Sequence, residues 1–492
     1  MTMRLSDIVA SLPDARLTGA DTDVAGISHR SRDVGPGDVF AAIAGANHDG
    51  HDFVGEAVQN GAVAVLATRD TGHDVSHVIV SDVRTQLGEV ASVIYGKPSE
   101  SMAVFGVTGT NGKTTVTSFI EGACAANGMG TGVIGTVATR IHGESEPGVR
   151  TTPEATELQH LLATMYRRGV DAVAMEVSSH GLDLRRVDGT RFACVVFTNL
   201  SQDHLDYHRS MDAYFAAKQR LFIPDFASQG VVFVGDSWAQ QLAETSPIPV
   251  VTVGFDGPVD VTVAVSGPAH ARLTGTINNV GEIDEMLRVP IPGAHNLANG
   301  AVAAVAAACS GIPMRTALDG IASSPGVSGR FEPVMLPDGP RAYVDFAHTP
   351  DAVRAVVAAA KALCTHAGRV ILVVGCGGDR DPEKRGPMGA AATTADVAVL
   401  TSDNPRSEDP EAILAAIARG AQQAVENGET CTIHLDVDRR SAIAYAVSQA
   451  NPNDVIVIAG KGHETTQIFA DRTVVFDDRH VLRDAYNTFK GL

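Results

Sequence analysis

The sequence predicts an α/β protein of three domains, and three observations predict it. Short apolar runs alternate with Ala-rich helical stretches almost throughout, the pattern of mainly parallel sheets covered by helices on both faces. Two Gly/Pro breaks, Tyr95-Gly96-Lys97-Pro98-Ser99 and Ser324-Pro325-Gly326-Val327-Ser328-Gly329, interrupt that alternation. The chain has 492 residues, which suits three domains at about 150 residues each. The expected divisions are 1–98, 99–330 and 331–492.

Composition narrows the function. Hydrophobic residues make up 44% and charged residues 19%, an ordinary globular balance rather than a disordered one. A net charge of −19 argues against a nonspecific nucleic-acid binder, because counterion release needs a basic face. One phosphate site, needing only a few local donors, remains compatible. Arg4, Asp7, Asp14 and Arg16 break up the apolar runs of the first residues, so no signal peptide is expected. Ala301 to Cys309, the most apolar later stretch, is too short to span a bilayer. The six cysteines are scattered without a CxxC pair, which disfavours structural zinc and disulfides and fits a reducing cytoplasm. A soluble cytoplasmic protein without stable membrane insertion is expected.

The strongest motif is Gly109-Thr110-Asn111-Gly112-Lys113-Thr114-Thr115, between an apolar strand at Met102 to Val107 and a helix at Val116 to Ala126. Strand, Gly-rich loop and helix in that order are the context a P-loop requires. Glycines let backbone N–H groups close on phosphate oxygens, and the helix N-terminus favours negative charge. Lys113 would reach the β- and γ-phosphates of ATP, and the Thr114 hydroxyl would ligate Mg²⁺. The spacing is looser than the usual motif: Gly106 lies one residue too far upstream, and position 107 is Val. The central domain is thus expected to hold a P-loop-type, mainly parallel sheet.

Further strands run into polar clusters: Glu176-Val177-Ser178-Ser179-His180, Thr198-Asn199-Leu200-Ser201-Gln202-Asp203-His204, Gly375-Cys376-Gly377-Gly378-Asp379-Arg380, Thr401-Ser402-Asp403-Asn404-Pro405-Arg406 and Gly460-Lys461-Gly462-His463-Glu464. In open α/β sheets the ligand crevice lies beyond the carboxyl ends of the strands. One such cluster is an ordinary loop; a series of them after a P-loop argues for a composite active site. The C-terminal domain is expected to be Rossmann-like. Glu176 and His204 are the candidate metal ligands, since a carboxylate and an imidazole on neighbouring strands can reach one cation beside a triphosphate. Lys218 occupies an apolar stripe with Met211, Tyr214, Phe215 and Phe222, in a helix that Ser210 can cap. Two readings stay open for it: an ammonium that snorkels to water, or an ammonium or modified lysine delivered to the site of Glu176 and His204.

These residues resemble the Mur ligases, the ATP-dependent amide-forming enzymes of peptidoglycan assembly. The resemblance runs in order from Gly109–Thr115 and Glu176–Gly181 through Asn199, Asp203-His204, Lys218, Gly293-Ala294-His295-Asn296 and Asn299. It continues through Gly329-Arg330-Phe331-Glu332, Asp345-Phe346-Ala347-His348 and Asp403–Arg406 to Gly460–Glu464. Within the family, Asp403-Asn404-Pro405-Arg406 looks like the motif of members that add meso-diaminopimelate to UDP-N-acetylmuramoyl-L-alanyl-D-glutamate; lysine-adding relatives lack that arginine. The resemblance implies a uridine-nucleotide site at His29, Ser31, Ala46, Asn47 and His48, and a muramoyl-peptide site at Thr151, Thr152, Ser178 and Arg186. It implies adenine contacts from His295, Asn296 and Asn299, phosphate and ribose contacts from Arg330 and Asp345, and a carbamylated Lys218. It places diaminopimelate at Arg380, Asp403, Asn404, Pro405, Arg406, Gly460 and Glu464. Arg406 would pair with the distal carboxylate and Glu464 with the distal ammonium, a second head that lysine lacks. Arg150 stands where many relatives have Asn, and Leu184 where some have Gln.

The expected reaction is phosphoryl transfer from ATP to the D-glutamate side-chain carboxylate, with Lys113, Lys218, Glu176, His204 and Mg²⁺ as its machinery. The amine then attacks the acyl phosphate. The base that deprotonates the amine is left open between His180 and His204. A monomer is expected, closing around its substrates with hinges near Pro98 and Gly329. A lysine-adding ligase is the nearest alternative. A P-loop switch is the alternative from another class, though it would not need Glu176, Lys218, His204 and a third α/β block.

Overall fold

The computed structural model describes residues 3–45, 48–148, 150–365 and 367–491. Three main sheets follow one another along the chain, with five, eleven and six strands. In the first, Gly26–Ser28, Asp38–Ala41, Ala64–Ala67 and Ser76–Ile79 run parallel, and Arg16–Thr18 closes one edge antiparallel. Helices Leu5–Ala10 and Val83–Ile94 bury Leu5, Ile8, Leu87 and Val90 on one face, while Val54–Gln59 covers the other with Val54 and Ala57.

The second sheet has a parallel centre made of Thr131–Ile134, Ala172–Glu176, Ala103–Thr108, Cys194–Phe197, Gly230–Phe233, Val250–Gly254 and Val261–Gly267. Antiparallel additions flank it. Ala138–Ile141 with Glu144–Pro147 extends one side, and His270–Ile277 with Gly281–Arg288 extends the other. One face packs on Lys113–Ala126, Ala294–Cys309 and Met314–Ser323, the other on Ala155–Arg167 and Met211–Gln219. Alanines dominate Ala294–Cys309, so the helix can lie close to the sheet without loss of side-chain entropy.

In the third sheet, Arg341–Asp345, Val455–Ala459, Val370–Val374, Val397–Leu400 and Thr432–Leu435 are parallel, with Glu332–Val334 antiparallel at the edge. Val370-Ile371-Leu372-Val373-Val374 is buried throughout, because helices cover both faces of a parallel sheet. The first unit meets the second where Gly88 and Gly189 face each other. A Cβ on Gly88 would lie 2.1 Å from the Asp188 carbonyl oxygen, so only glycine permits that approach.

Element boundaries differ from the sequence reading in an informative way. The strand expected at Met102 to Val107 is Ala103–Thr108, and the following helix begins at Lys113 instead of Val116. Apolar periodicity begins late there because the helix's first turn carries the polar loop residues. The apolar run Phe192 to Phe197 joins the sheet only from Cys194, while Phe192 makes an isolated bridge to Ala227. The helix expected across Met211 to Phe222 ends at Gln219, with the Ser210 hydroxyl accepting from the Ala213 N–H at its start.

Candidate active site

The loop 109–115 wraps over the ends of the strands Ala103–Thr108 and Cys194–Phe197. Asn199 anchors it: its carbonyl accepts from the Thr110 N–H at 2.9 Å, and its side-chain oxygen from the Asn111 N–H at 3.0 Å. Gly112 has φ +88°, and a Cβ there would lie 2.5 Å from Asn299 Oδ1. Lys113 Nζ donates to the carbonyls of Gly109 and Thr110, both at 2.9 Å. Burial pushes its pKa down, while Glu176 and Asp203 oppose the shift.

Glu176 ends its strand fully buried. One oxygen accepts from the Thr114 hydroxyl at 3.0 Å and the Thr136 N–H at 2.9 Å, and the other from the Thr136 hydroxyl at 3.1 Å. Arg330 reaches Thr114 Oγ1 at 2.9 Å from 216 residues away in sequence. Beside Glu176, Thr151 meets Thr136 at 2.9 Å and Thr152 donates to the Glu176 carbonyl at 3.0 Å. Thr152 also contacts the Ser178 hydroxyl at 3.1 Å, and Arg186 donates to the Thr152 carbonyl at 3.2 Å while pairing with Glu154. Thr151, Thr152, Ser178 and Arg186 thus form one cluster.

Lys218 is buried, with Nζ donating to the Gly109 carbonyl at 2.7 Å and lying 4.6 Å from the centre of the Tyr214 ring. Burial and the nearby Lys113 charge hold its pKa well below the ordinary lysine value. The amine therefore does not snorkel, and its hydrogen bond goes to the phosphate loop, not to Glu176 or His204. His204, at φ +56°, sets its ring against His180 at 4.9 Å, and burial pushes its pKa down to about 3. Burial lowers His180 as well.

Asp203 receives His348 Nε2 at 3.5 Å and Lys384 Nζ at 3.3 Å, both from the third unit. Burial opposes its ionisation, but the hydrogen bond from His348 and the Lys384 charge prevail and hold it well below the usual carboxylate range. Asn111 reaches Thr349 at 3.1 Å, and Gln202 reaches Asp381 at 3.2 Å. A cavity of about 380 Å³ opens beside these contacts. Asn111, Gly112, Thr115, His295, Asn296, Asn299, Arg330 and Asp345 line it together with Phe255 and Phe346. Both Asp345 oxygens accept backbone N–H groups, from Ala347 and Phe331 at 2.7 Å each.

At the strand ends of the third sheet, Asn404 donates to Glu464 at 2.7 Å, and the buried Lys461 ammonium lies 3.2 Å from the same carboxylate oxygen. Gly460 has φ +108°, and a Cβ there would lie 2.4 Å from Asp403 Oδ2. Arg406 donates to the Gly378 carbonyl at 2.6 Å, yet among the described residues no carboxylate lies within 4 Å of its guanidinium. Burial and the neighbouring Arg380 lower its pKa. Arg380 itself is exposed.

The expected nucleotide-sugar residues do not form one cluster. His29 bonds Thr156 at 2.9 Å and lines a cavity of about 750 Å³ between the first sheet and the helix Ala155–Arg167. Ser31 instead donates to Glu56, and His48 is exposed against Phe53; neither lines that cavity. Ala46 and Asn47 lie outside the described residues. Sequence reasoning assigned no role to Lys384, Lys461, Glu154, Phe255 or Phe346. Lys461 sat in a cluster already noted, whereas Lys384 lies in a charged run that reads as a solvated turn.

Comparison with known proteins agrees with this layout. The Mur ligase middle domain matches residues 107–308, the glutamate ligase domain of Mur ligases matches 329–462, and the Mur ligase family catalytic domain matches 23–95. The UDP-N-acetylmuramoyl-L-alanyl-D-glutamate–2,6-diaminopimelate ligase of Streptomyces avermitilis is 44% identical across 98% of both chains. That of Streptomyces coelicolor is 45% identical across 95% of this chain and 94% of its own. A solved structure of a ligase of that name covers 100% of both chains with a TM-score of 0.70 and 30% identity. With these matches spanning all three sheets, the chain belongs to the Mur ligase family.

Proposed function

We propose that this chain joins meso-diaminopimelate to the side-chain carboxylate of D-glutamate in UDP-N-acetylmuramoyl-L-alanyl-D-glutamate, using ATP, for peptidoglycan synthesis in the cytoplasm. The observation that carries the substrate choice is Arg406: a half-buried guanidinium without a carboxylate partner among the described residues, within electrostatic reach of Glu464. A buried arginine left unpaired is costly, so a ligand carboxylate is the natural complement. The distal head of meso-diaminopimelate brings that carboxylate for Arg406 and Arg380. It also brings an ammonium for Glu464, which Asn404 orients, with Asp403, Pro405 and Gly460 shaping the pocket. Among the described residues no helix is long and apolar enough to cross a membrane.

The triphosphate of ATP lies over loop 109–115, with the base in the cavity beside His295, Asn296 and Asn299 and Arg330 and Asp345 near the ribose and phosphates. Among the described residues no three His, Cys, Asp or Glu side chains gather as a metal site. The donor set at Glu176 and Thr114 still fits Mg²⁺, which takes one or two protein oxygens and completes its shell with phosphate and water. Thr114 and Glu176 would hold it, with His204 the remaining proposed ligand. When bound, the ion stabilises negative charge on the transferring phosphoryl group.

Lys113 stabilises that same charge, while Thr151, Thr152, Ser178 and Arg186 orient the muramoyl-peptide so that its carboxylate meets the γ-phosphate. Preorganised positioning and charge do most of this work. Burial and the Lys113 charge disfavour the charged form of Lys218, so its free amine is a nucleophile for CO₂. A new N–C bond and loss of one proton give N6-carboxylysine, an anion facing Lys113. The acyl phosphate is then attacked by the diaminopimelate amine, and inorganic phosphate leaves. His180, neutral at pH 7, can take the amine proton; His204 is the alternative only where it does not ligate the ion, and its pKa of about 3 makes it the weaker base. At the uridine end of the substrate we place His29, which lines the cavity beside the first sheet; Ser31 and His48, outside that cavity, and Ala46 and Asn47 are assigned there by the family resemblance alone. We read 1–98, 99–330 and 331–492 as the units of a monomer that closes about Pro98 and Gly329.

Phosphate release with ATP, Mg²⁺ and the UDP-linked dipeptide tests this directly. Turnover is expected with meso-diaminopimelate and not with L-lysine, and Arg406→Ala is expected to lower kcat/KM for diaminopimelate by about 100-fold. Equal turnover with lysine would overturn the reading of Arg406.

A further inference from the structure

The proposed amine pocket is built from two loops, residues 401–406 after Val397–Leu400 and residues 460–464 after Val455–Ala459. Those strands are not neighbours, because Val370–Val374 lies between them, so no strand ladder ties one loop to the other. Contacts inside the pocket, such as Asn404 to Glu464, involve the groups that a ligand would engage. A different tie runs behind the pocket. Arg439, fully buried in the first turn of the helix Arg439–Gln449, donates through Nε and Nη2 to the two oxygens of Asp478 at 2.8 and 2.7 Å. Its Nη1 donates to the Ser402 carbonyl at 3.2 Å, and Nη2 also donates to the Ala459 carbonyl at 2.9 Å. Ser402 immediately precedes Asp403-Asn404-Pro405-Arg406, and Ala459 immediately precedes Gly460.

We propose that Arg439 is a positioning residue for the amine substrate: its guanidinium, fixed by Asp478, sets the separation of the Asp403–Arg406 and Gly460–Glu464 loops. The inference rests on the pocket assignment above. It follows from the geometry of the group, since a planar fork can hold a carboxylate through two bonds and still reach two carbonyls. A lysine point charge cannot do both. Buried ion pairs are often replaceable by apolar residues without loss of stability, so stability alone is a poor explanation for this one. Small misplacements around a reacting group are costly, which gives the tie a functional consequence.

The test compares Arg439→Lys and the apolar pair Arg439→Met with Asp478→Leu against wild type. Leu482→Ala, buried in the hydrophobic core on the helix that carries Asp478, is the control for general destabilisation. Hydrogen exchange is read at amides of 401–406 and 460–464, and KM is measured separately for meso-diaminopimelate, ATP and the UDP-linked dipeptide. Both Arg439 variants should speed exchange in the two loops and raise KM for diaminopimelate by about tenfold or more, leaving the other two KM values unchanged. The control should lower Tm without that split. Unchanged loop exchange, or a diaminopimelate KM that moves no more than in the control, would overturn the proposal. Wild-type protein inert towards diaminopimelate would sink the substrate assignment instead. The exchange data would still judge the tie, and the KM comparison would pass to L-lysine.

Discussion

His208 shows how one residue can report on the site around it. Its ring meets Ser179 at 2.9 Å, and burial, helped by His180 and Lys218, lowers its pKa from 6.5 to about 4. Between those values the unfolded chain binds a proton that the folded chain refuses, so stability falls as pH drops from 6.5 towards 4. The slope approaches about 1.4 kcal/mol per pH unit for a full proton. His208→Gln should flatten the dependence of Tm on pH across that window, and an unchanged slope would refute the assignment. At this scale much was legible. Lys113 stands out by its Gly-rich loop between a strand and a helix, and Glu176 and Asp403–Arg406 because they belong to a series of polar strand ends that follows that loop. Arg439 and Asp478 gave no such signal, since an Arg-Arg pair (Arg439-Arg440) and an Asp-Asp pair (Asp477-Asp478) at helix starts look like solvated residues.

The helix Lys113–Ala126 shows what an element adds. Gly112 at its N-cap has φ +88° and leaves room for Asn299 on the neighbouring helix Ala294–Cys309. Gly112→Ala would strain the left-handed backbone and push Asn299 away, at a cost of about 1–3 kcal/mol. Calorimetry should find nucleotide affinity lost by more than Tm falls; a loss in Tm alone would make Gly112 only a fold residue. Element type was readable from periodicity, but the starts of elements were not. Phe192 makes only an isolated parallel bridge to Ala227, and the sheet strand starts two residues later at Cys194, a boundary its apolar run did not mark.

At the scale of the molecule, the contacts that join the second and third units decide whether the site is assembled. Lys384 and His348 converge on buried Asp203, and Arg330 reaches Thr114. Lys384→Met would leave the Asp203 charge undercompensated and cost the docked arrangement about 3 kcal/mol. Limited proteolysis near Gly329 should then cut the variant faster than wild type, with nucleotide restoring less protection. Identical cutting would refute a docking role.

The sequence by itself determined the alternation of strands and helices, the P-loop and the identity of the polar strand ends, because local periodicity and glycine placement carry that information within a few residues. Only the tertiary structure decided which of those groups meet. Arg330 on Thr114, Lys384 on Asp203 and Arg439 behind the last pocket join segments separated by long stretches of chain. Such pairings depend on how whole sheets pack and dock, and no local pattern encodes them.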